Sequence, residues 1–150
     1  MNNINILIFE NEAFTALNLQ ERFKFWGYRS PFIVSSKKEA FQIAKDIKPD
    51  LALIDIGLKN KDDVIEIAKK ISDDFDTAVV YILPFYDEEI MGCIRTTKPY
   101  GFLLKPFEEN QIKFKVEEAL YTRKLVKNLI ASKWYFKLVY LLHWLIWWDI

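Results

Sequence analysis

Leu51-Ala-Leu-Ile-Asp55 sets four apolar residues directly before a carboxylate. A short apolar run with no polar alternation reads as a strand buried on both faces, as in the middle of a parallel sheet. Asp55 closes it. A charge there costs free energy unless it is paired or binds a metal. Similar runs recur along the chain. Ile4–Phe9, Ser30–Ser35, Ala78–Leu83 and Tyr100–Leu104 each read as a strand, making five in all. Helical periodicity fills the intervals. Glu12–Trp26 carries Phe14, Leu17, Phe23 and Trp26 at helical spacing, and Gly27 follows as a stop. Ser36-Lys-Lys-Glu39 is a capping box that opens a helix carrying Ala40, Phe41, Ile43, Ala44 and Ile47, and Pro49 ends it. Asp63–Ser72 turns Val64, Ile67, Ala68 and Ile71 inward, and Asp87–Thr96 is a short helix. From Glu108 onward no Gly or Pro interrupts the chain.

This alternation predicts a parallel sheet with helices on both faces and right-handed crossovers. Sites in such sheets lie beyond the carboxyl ends of the strands. The residues expected there are Glu10, Asn11 and Glu12, then Asp55, then Leu83-Pro84, then Lys105-Pro106. Glu12 alone reads as a helix-terminal acid. Asp55 and Lys105, each ending an apolar run, do not reduce to capping. Two carboxylates with backbone carbonyls suit a hard cation such as Mg²⁺. A carboxylate beside Mg²⁺ and a lysine suits phosphoryl acceptance, because both cations neutralise phosphoryl oxygens.

Composition narrows the function classes. The chain has 150 residues, 51% hydrophobic and 28% charged, enough for one domain with a real core. Lys+Arg and Asp+Glu are both 21, which argues against a nucleic-acid protein acting through bulk positive charge. Cys93 is the single cysteine and fits a reducing compartment. Ile4–Phe9 is too short, and lacks the preceding basic residue, for a secretory signal. A cytoplasmic location is expected.

The motifs ILIFENE (Ile6–Glu12), PDLALIDIGL (Pro49–Leu58) and PYGFLLKPF (Pro99–Phe107) recur in the order and spacing of response-regulator receiver domains. Residues 3–124 resemble that family, whose usual forms are ILIVEDE, PDLVLMDI-L and PYGYLLKPF. The resemblance implies a flavodoxin-like (CheY-like) three-layer α/β/α fold with a five-stranded parallel sheet of order 2-1-3-4-5. It implies a receiver domain over 1–124 and a helical, Trp-rich apolar extension over 125–150. It implies Asp55 as the acceptor of a phosphoryl group from a histidine kinase. Mg²⁺ would be held by Glu10, Asn11, Asp55 and the Gly57 carbonyl. Lys105 would contact the phosphoryl group, and the Lys105–Pro106 bond would be cis.

Several positions depart from the family. Asn11 replaces the usual metal-binding Asp, so weaker Mg²⁺ binding is expected. Leu83 replaces the Ser/Thr whose hydroxyl reaches the phosphoryl group. Pro84 replaces a residue whose N–H does the same, and proline has none. Phe102 replaces a switch aromatic that is often Tyr, and Val64 stands where Gly is common. Charge-assisted hydrogen bonds contribute roughly 1.5–3 kcal/mol each, so losing two is enough to erase an allosteric coupling of about 1–3 kcal/mol. The expectation is a receiver with a degraded switch that signals through protein contacts, not an enzyme. A pseudo-receiver interaction module that is not phosphorylated, or does not switch, stays open as the alternative. A haloacid-dehalogenase-type phosphatase is disfavoured because Gly57 stands where a second Asp is required. A flavodoxin is disfavoured because ENEAF follows the first strand in place of a phosphate loop.

Beyond Lys124 the resemblance ends. Trp134–Trp148 contains only Lys137 and His143 as polar residues. Fifteen helical residues span about 22 Å, short of the roughly 30 Å hydrocarbon core. A membrane span is therefore disfavoured, an in-plane anchor is left open, and a homodimer through the last helix and tail is the first expectation. His143 reads as a tolerated polar residue, not a ligand.

Overall fold

The computed structural model describes residues 3–57 and 61–148, the side chains of 140 and 143–148 excepted. Strands β1 (Ile6–Phe9), β2 (Phe32–Val34), β3 (Leu51–Asp55), β4 (Ala78–Leu83) and β5 (Gly101–Leu104) alternate with helices. These are α1 (Ala13–Phe25), α2 (Lys37–Ile47), α3 (Lys61–Phe75), α4 (Glu88–Arg95) and α5 (Glu109–Trp148). The sheet is parallel throughout, in the order β2-β1-β3-β4-β5. This is the expected flavodoxin-like topology.

Two apolar cores sandwich the sheet. Alternate residues of the central strands, Ala52 and Ile54 with Val79, Tyr81 and Leu83, meet Ala40 and Ala44 of α2, Val64, Ile67, Ala68 and Ile71 of α3, and Ile90, Met91 and Ile94 of α4. The other face sets Ile6, Ile8, Leu51, Leu53, Val80 and Ile82 against Leu19 and Phe23 of α1 and Ile112, Val116 and Ala119 of α5. β3 and β4 are buried on both faces, which explains why their sequences carry no alternation.

The helix ends obey local chemistry. α1 closes in a Schellman motif: Tyr28 N–H donates to Phe23 O, Gly27 N–H donates to Lys24 O, and Gly27 sits at φ +88°. Ser36 caps α2 by accepting from Glu39 N–H, while the Glu39 carboxylate takes the N–H of Ser35, one residue earlier than a reciprocal box requires. Asp87 caps α4 from outside the helix, accepting from Ile90 N–H at 2.9 Å. One expectation needs correcting. Phe14 and Leu17 do not face the core: they are 76% and 57% exposed, and Ala16 and Leu19 point inward with Phe23. The inward stripe is set by position at 16, 19 and 23, not by side-chain bulk.

The amino-terminal edge of the sheet is tied crosswise. Asn5 N–H donates to Asp50 Oδ2 and Asn5 Nδ2 to Ile47 O, while Asp50 N–H returns to Asn5 O. Ala78 N–H donates to Asp50 O, and the buried Thr77 hydroxyl donates to Pro49 O. The chain divides into two compact units, one ending at Leu120 and the other starting at Tyr121. The second is the continuation of α5, and no helix among the described residues is long and apolar enough to cross a membrane.

Candidate functional site

The sheet order brings the ends of β1, β3, β4 and β5 along one edge, and the sequence-predicted residues divide there. Glu10, Asp55 and Lys105 come together. Lys105 Nζ stands 2.5 Å from Asp55 Oδ2, and the Asp55 side chain is only 10% exposed. The Lys105 backbone N–H donates to Leu83 O, which fixes the start of the lysine's reach. Glu10 is buried, and its Oε1 accepts the N–H of Glu12. Glu10 Oε2 and Asp55 Oδ2 have no hydrogen-bond donor: the ammonium approaches Oδ2 as an ion pair, off hydrogen-bonding geometry.

This crowding sets the electrostatics. Burial, then the close approach of the Asp55 carboxylate, raises the Glu10 carboxyl from 4.5 to about 7, against the opposing pull of the Glu12 N–H and Lys105. For Lys105, burial by itself lowers the pKa. The adjoining Asp55 carboxylate, with Glu10 and Glu12 beyond, outweighs it and holds the ammonium above its ordinary value.

The remaining predicted residues lie around this core without joining it. Asn11 and Gly57 are exposed beside the same strand ends. Glu12 occupies the N-cap position of α1, but its carboxylate accepts from the Thr15 hydroxyl at 2.8 Å in place of a backbone N–H. Leu83 is fully buried and packs in the core beneath α3 and α4. Pro84 comes next with no N–H to offer. Phe102 pairs in register with Tyr81 and lines a surface cleft of about 420 Å³ with Tyr86, Met91, Ile94 and Arg95. The Lys105–Pro106 peptide is cis.

The sequence reading missed Tyr81. Its hydroxyl lies 2.7 Å from Thr97 Oγ1, and Thr97 Oγ1 in turn donates to Ile94 O at 2.6 Å. Thr97 spends its one proton on Ile94, so Tyr81 is the donor between them. Burial pushes the Tyr81 hydroxyl up to about 12. This bond fastens the end of α4 to the middle of β4.

The acid pair fits a hard divalent cation: two buried, donorless oxygens face one another and want positive charge. Among the described residues no group of three His, Cys, Asp or Glu side chains is placed to hold a metal. Any cation here therefore rests on Glu10, Asp55, neutral oxygens and water.

No family model matches the chain. It is 28% identical over 102 residues to the transcriptional regulatory protein PdtaR of Mycobacterium tuberculosis, covering 68% of this chain and 49% of that protein. It is 25% identical over 124 residues to the phyllosphere-induced regulator PhyR of Methylorubrum extorquens, covering 82% of this chain and 46% of that one. Among solved structures, the signal receiver domain of a modulated diguanylate cyclase from Desulfovibrio desulfuricans G20 superposes with a TM-score of 0.73 at 27% identity, over 81% of this chain and 96% of that chain. In sequence and in fold the chain is similar to response-regulator receiver domains. It spans about half the length of the curated relatives it matches. Its sheet order is that of the receiver fold.

Proposed function

We propose that the receiver, over residues 1–124, accepts a phosphoryl group on Asp55 from a histidine kinase in the cytoplasm and passes the signal on through protein contacts. The observation that carries this reading is the Asp55–Lys105 ion pair beside the buried Glu10 carboxyl. An Asp55 carboxylate oxygen forms the new P–O bond as the donor's P–N bond breaks, and the bonding electron pair returns to the imidazole nitrogen. Lys105 neutralises charge at the acceptor and then on the phosphoryl oxygens. Glu10, Asp55, the Asn11 amide oxygen and the Gly57 carbonyl would hold Mg²⁺, which supplies further charge neutralisation. With an amide at Asn11 that binding is weak.

Leu83 and Pro84 restrict signalling from a phosphorylated Asp55. A buried leucine points into the core where a hydroxyl would be needed at the phosphoryl group, and the next residue lacks an N–H. That packing also supports the second reading, a pseudo-receiver that keeps the fold without the switch. Amide chemical shifts followed by NMR during addition of Mg²⁺ and then beryllofluoride, with Asp55→Asn as control, separate the two. Shifts confined to the surroundings of Asp55 are expected. Shifts reaching Phe102 and α4 would mean the switch is intact. No response to beryllofluoride would refute phosphoryl acceptance and leave the pseudo-receiver.

A further inference from the structure

α4 is the shortest helix among the described residues, eight from Glu88 to Arg95, and it buries Ile90, Met91 and Ile94. Gly92 stands in its interior, where glycine is unfavourable. Neither a positive φ nor a close approach demands it: nothing lies within 4 Å of where a Cβ would be. The first turn is held by the Asp87 cap and by an ion pair from Glu89 to Lys61 of α3 at 2.9 Å. Glu89 is 81% exposed, and such surface pairs contribute little. The far end is held differently. The Tyr81 hydroxyl reaches from β4 to Thr97, two residues past the helix, and both residues are buried. Lys98 then turns the chain away at φ +52°.

A buried hydroxyl cannot exchange its acceptor for water unless one partner moves away. Tyr81 belongs to a strand buried along its whole length, so the partner free to move is α4. Short segments with few buried side chains are the ones that open below the global stability. Tyr81 also stands in register with Phe102, so their side chains lie on one face of the sheet. The cleft over β5 takes Met91, Ile94 and Arg95 from α4 and Phe102 from the strand, so its walls exist only while α4 is in place. We propose that the Tyr81–Thr97 bond is a latch on a separately opening segment: α4 opens as one unit when this bond breaks, dismantling the cleft over β5 and uncovering Ile90, Met91 and Ile94. The device needs no phosphoryl group at Asp55.

Native-state hydrogen exchange of the full chain, followed by NMR without metal or phosphoryl mimic, tests the latch. The hydrogen-bonded amides of α4 should exchange through an opening that leaves those of β3 and β4 protected. Tyr81→Phe keeps the ring and removes the bond, and it should speed the α4 amides roughly two- to twelvefold, the range of one ordinary hydrogen bond. Gly92→Ala fills open space and favours the closed helix, so it should slow the same amides about fivefold. The two variants thus push one opening in opposite directions, and the second adds no buried defect. Protection of the α4 amides equal to that of β3 and β4 would mean that no separate opening exists, and overturns the proposal. So does α4 exchange unaltered by Tyr81→Phe, or unaltered by Gly92→Ala. The outcome is independent of phosphoryl acceptance at Asp55.

Discussion

Removing the Tyr81 hydroxyl and removing its acceptor should have unequal effects, and the inequality comes from which group donates. Tyr81→Phe keeps the buried ring and deletes one hydrogen bond. Thr97 loses a donor but still gives its own proton to Ile94 O. The expected loss is that of one ordinary bond, about 0.5–1.5 kcal/mol. Thr97→Val keeps the shape of the side chain and leaves the Tyr81 hydroxyl buried with no acceptor. Ile94 O retains the backbone N–H of Thr97 at 3.1 Å, so the penalty is the stranded hydroxyl alone. That costs about 1–3 kcal/mol. The double variant has nothing stranded and should lie close to Tyr81→Phe, giving a coupling as large as the Thr97→Val loss itself, about 1–3 kcal/mol. Urea unfolding of the four proteins measures this, with unchanged slopes as the condition for comparison. Equal losses for the two single variants, or simple additivity in the double, would refute the assignment of donor and acceptor.

Three further outcomes are expected. Leu83→Thr with Pro84→Ala should destabilise the fold by about 2–4 kcal/mol, because a buried side chain shrinks and gains a hydroxyl. It should nevertheless let beryllofluoride-induced NMR shifts spread to α4. Lys105→Ala should tighten Mg²⁺ binding, measured by titration calorimetry, while abolishing the beryllofluoride response, since the lysine competes with metal for Asp55 but assists the phosphoryl group. The Glu10 carboxyl is raised from 4.5 to about 7 in the folded state, so the fold holds that proton more tightly than the unfolded chain does. Its stabilising contribution is full below 4.5 and is lost as pH rises through about 7. In EDTA the unfolding midpoint should therefore fall across that window, Glu10→Gln should remove that part of the fall, and Mg²⁺ should oppose it above pH 7.

The sheet was legible because β3 and β4 are buried on both faces and have no alternation to confuse with a surface strand. The capping residue Ser36 and the stop at Gly27 are local chemistry, readable from a few neighbours. The inward stripe of α1 was not, because Phe14 outweighs Ala16 in any reading that ranks residues by apolar bulk. Tyr81 was hidden for a related reason: within AVVYIL it contributes the same apolar signal as phenylalanine, and its partner Thr97 carries no strand or helix cue. Asp55 and Lys105 were found by their position at the ends of apolar runs. The raised Glu10 carboxyl arises from burial and then from contact with Asp55, 45 residues away, and no local pattern encodes either.

The crosswise ties at Asn5, Asp50 and Thr77 give the sheet a mechanical polarity. One rim is riveted by neutral and acidic side chains hydrogen-bonded to backbone, while the opposite rim, where Asp55 sits, is held by the strands' own ladders and the Asp55–Lys105 ion pair. Strain introduced at Asp55 has no slack to take up at the riveted rim. It is relieved at the near rim, in the loops after β3, β4 and β5, and amide exchange should be slowest at the far one.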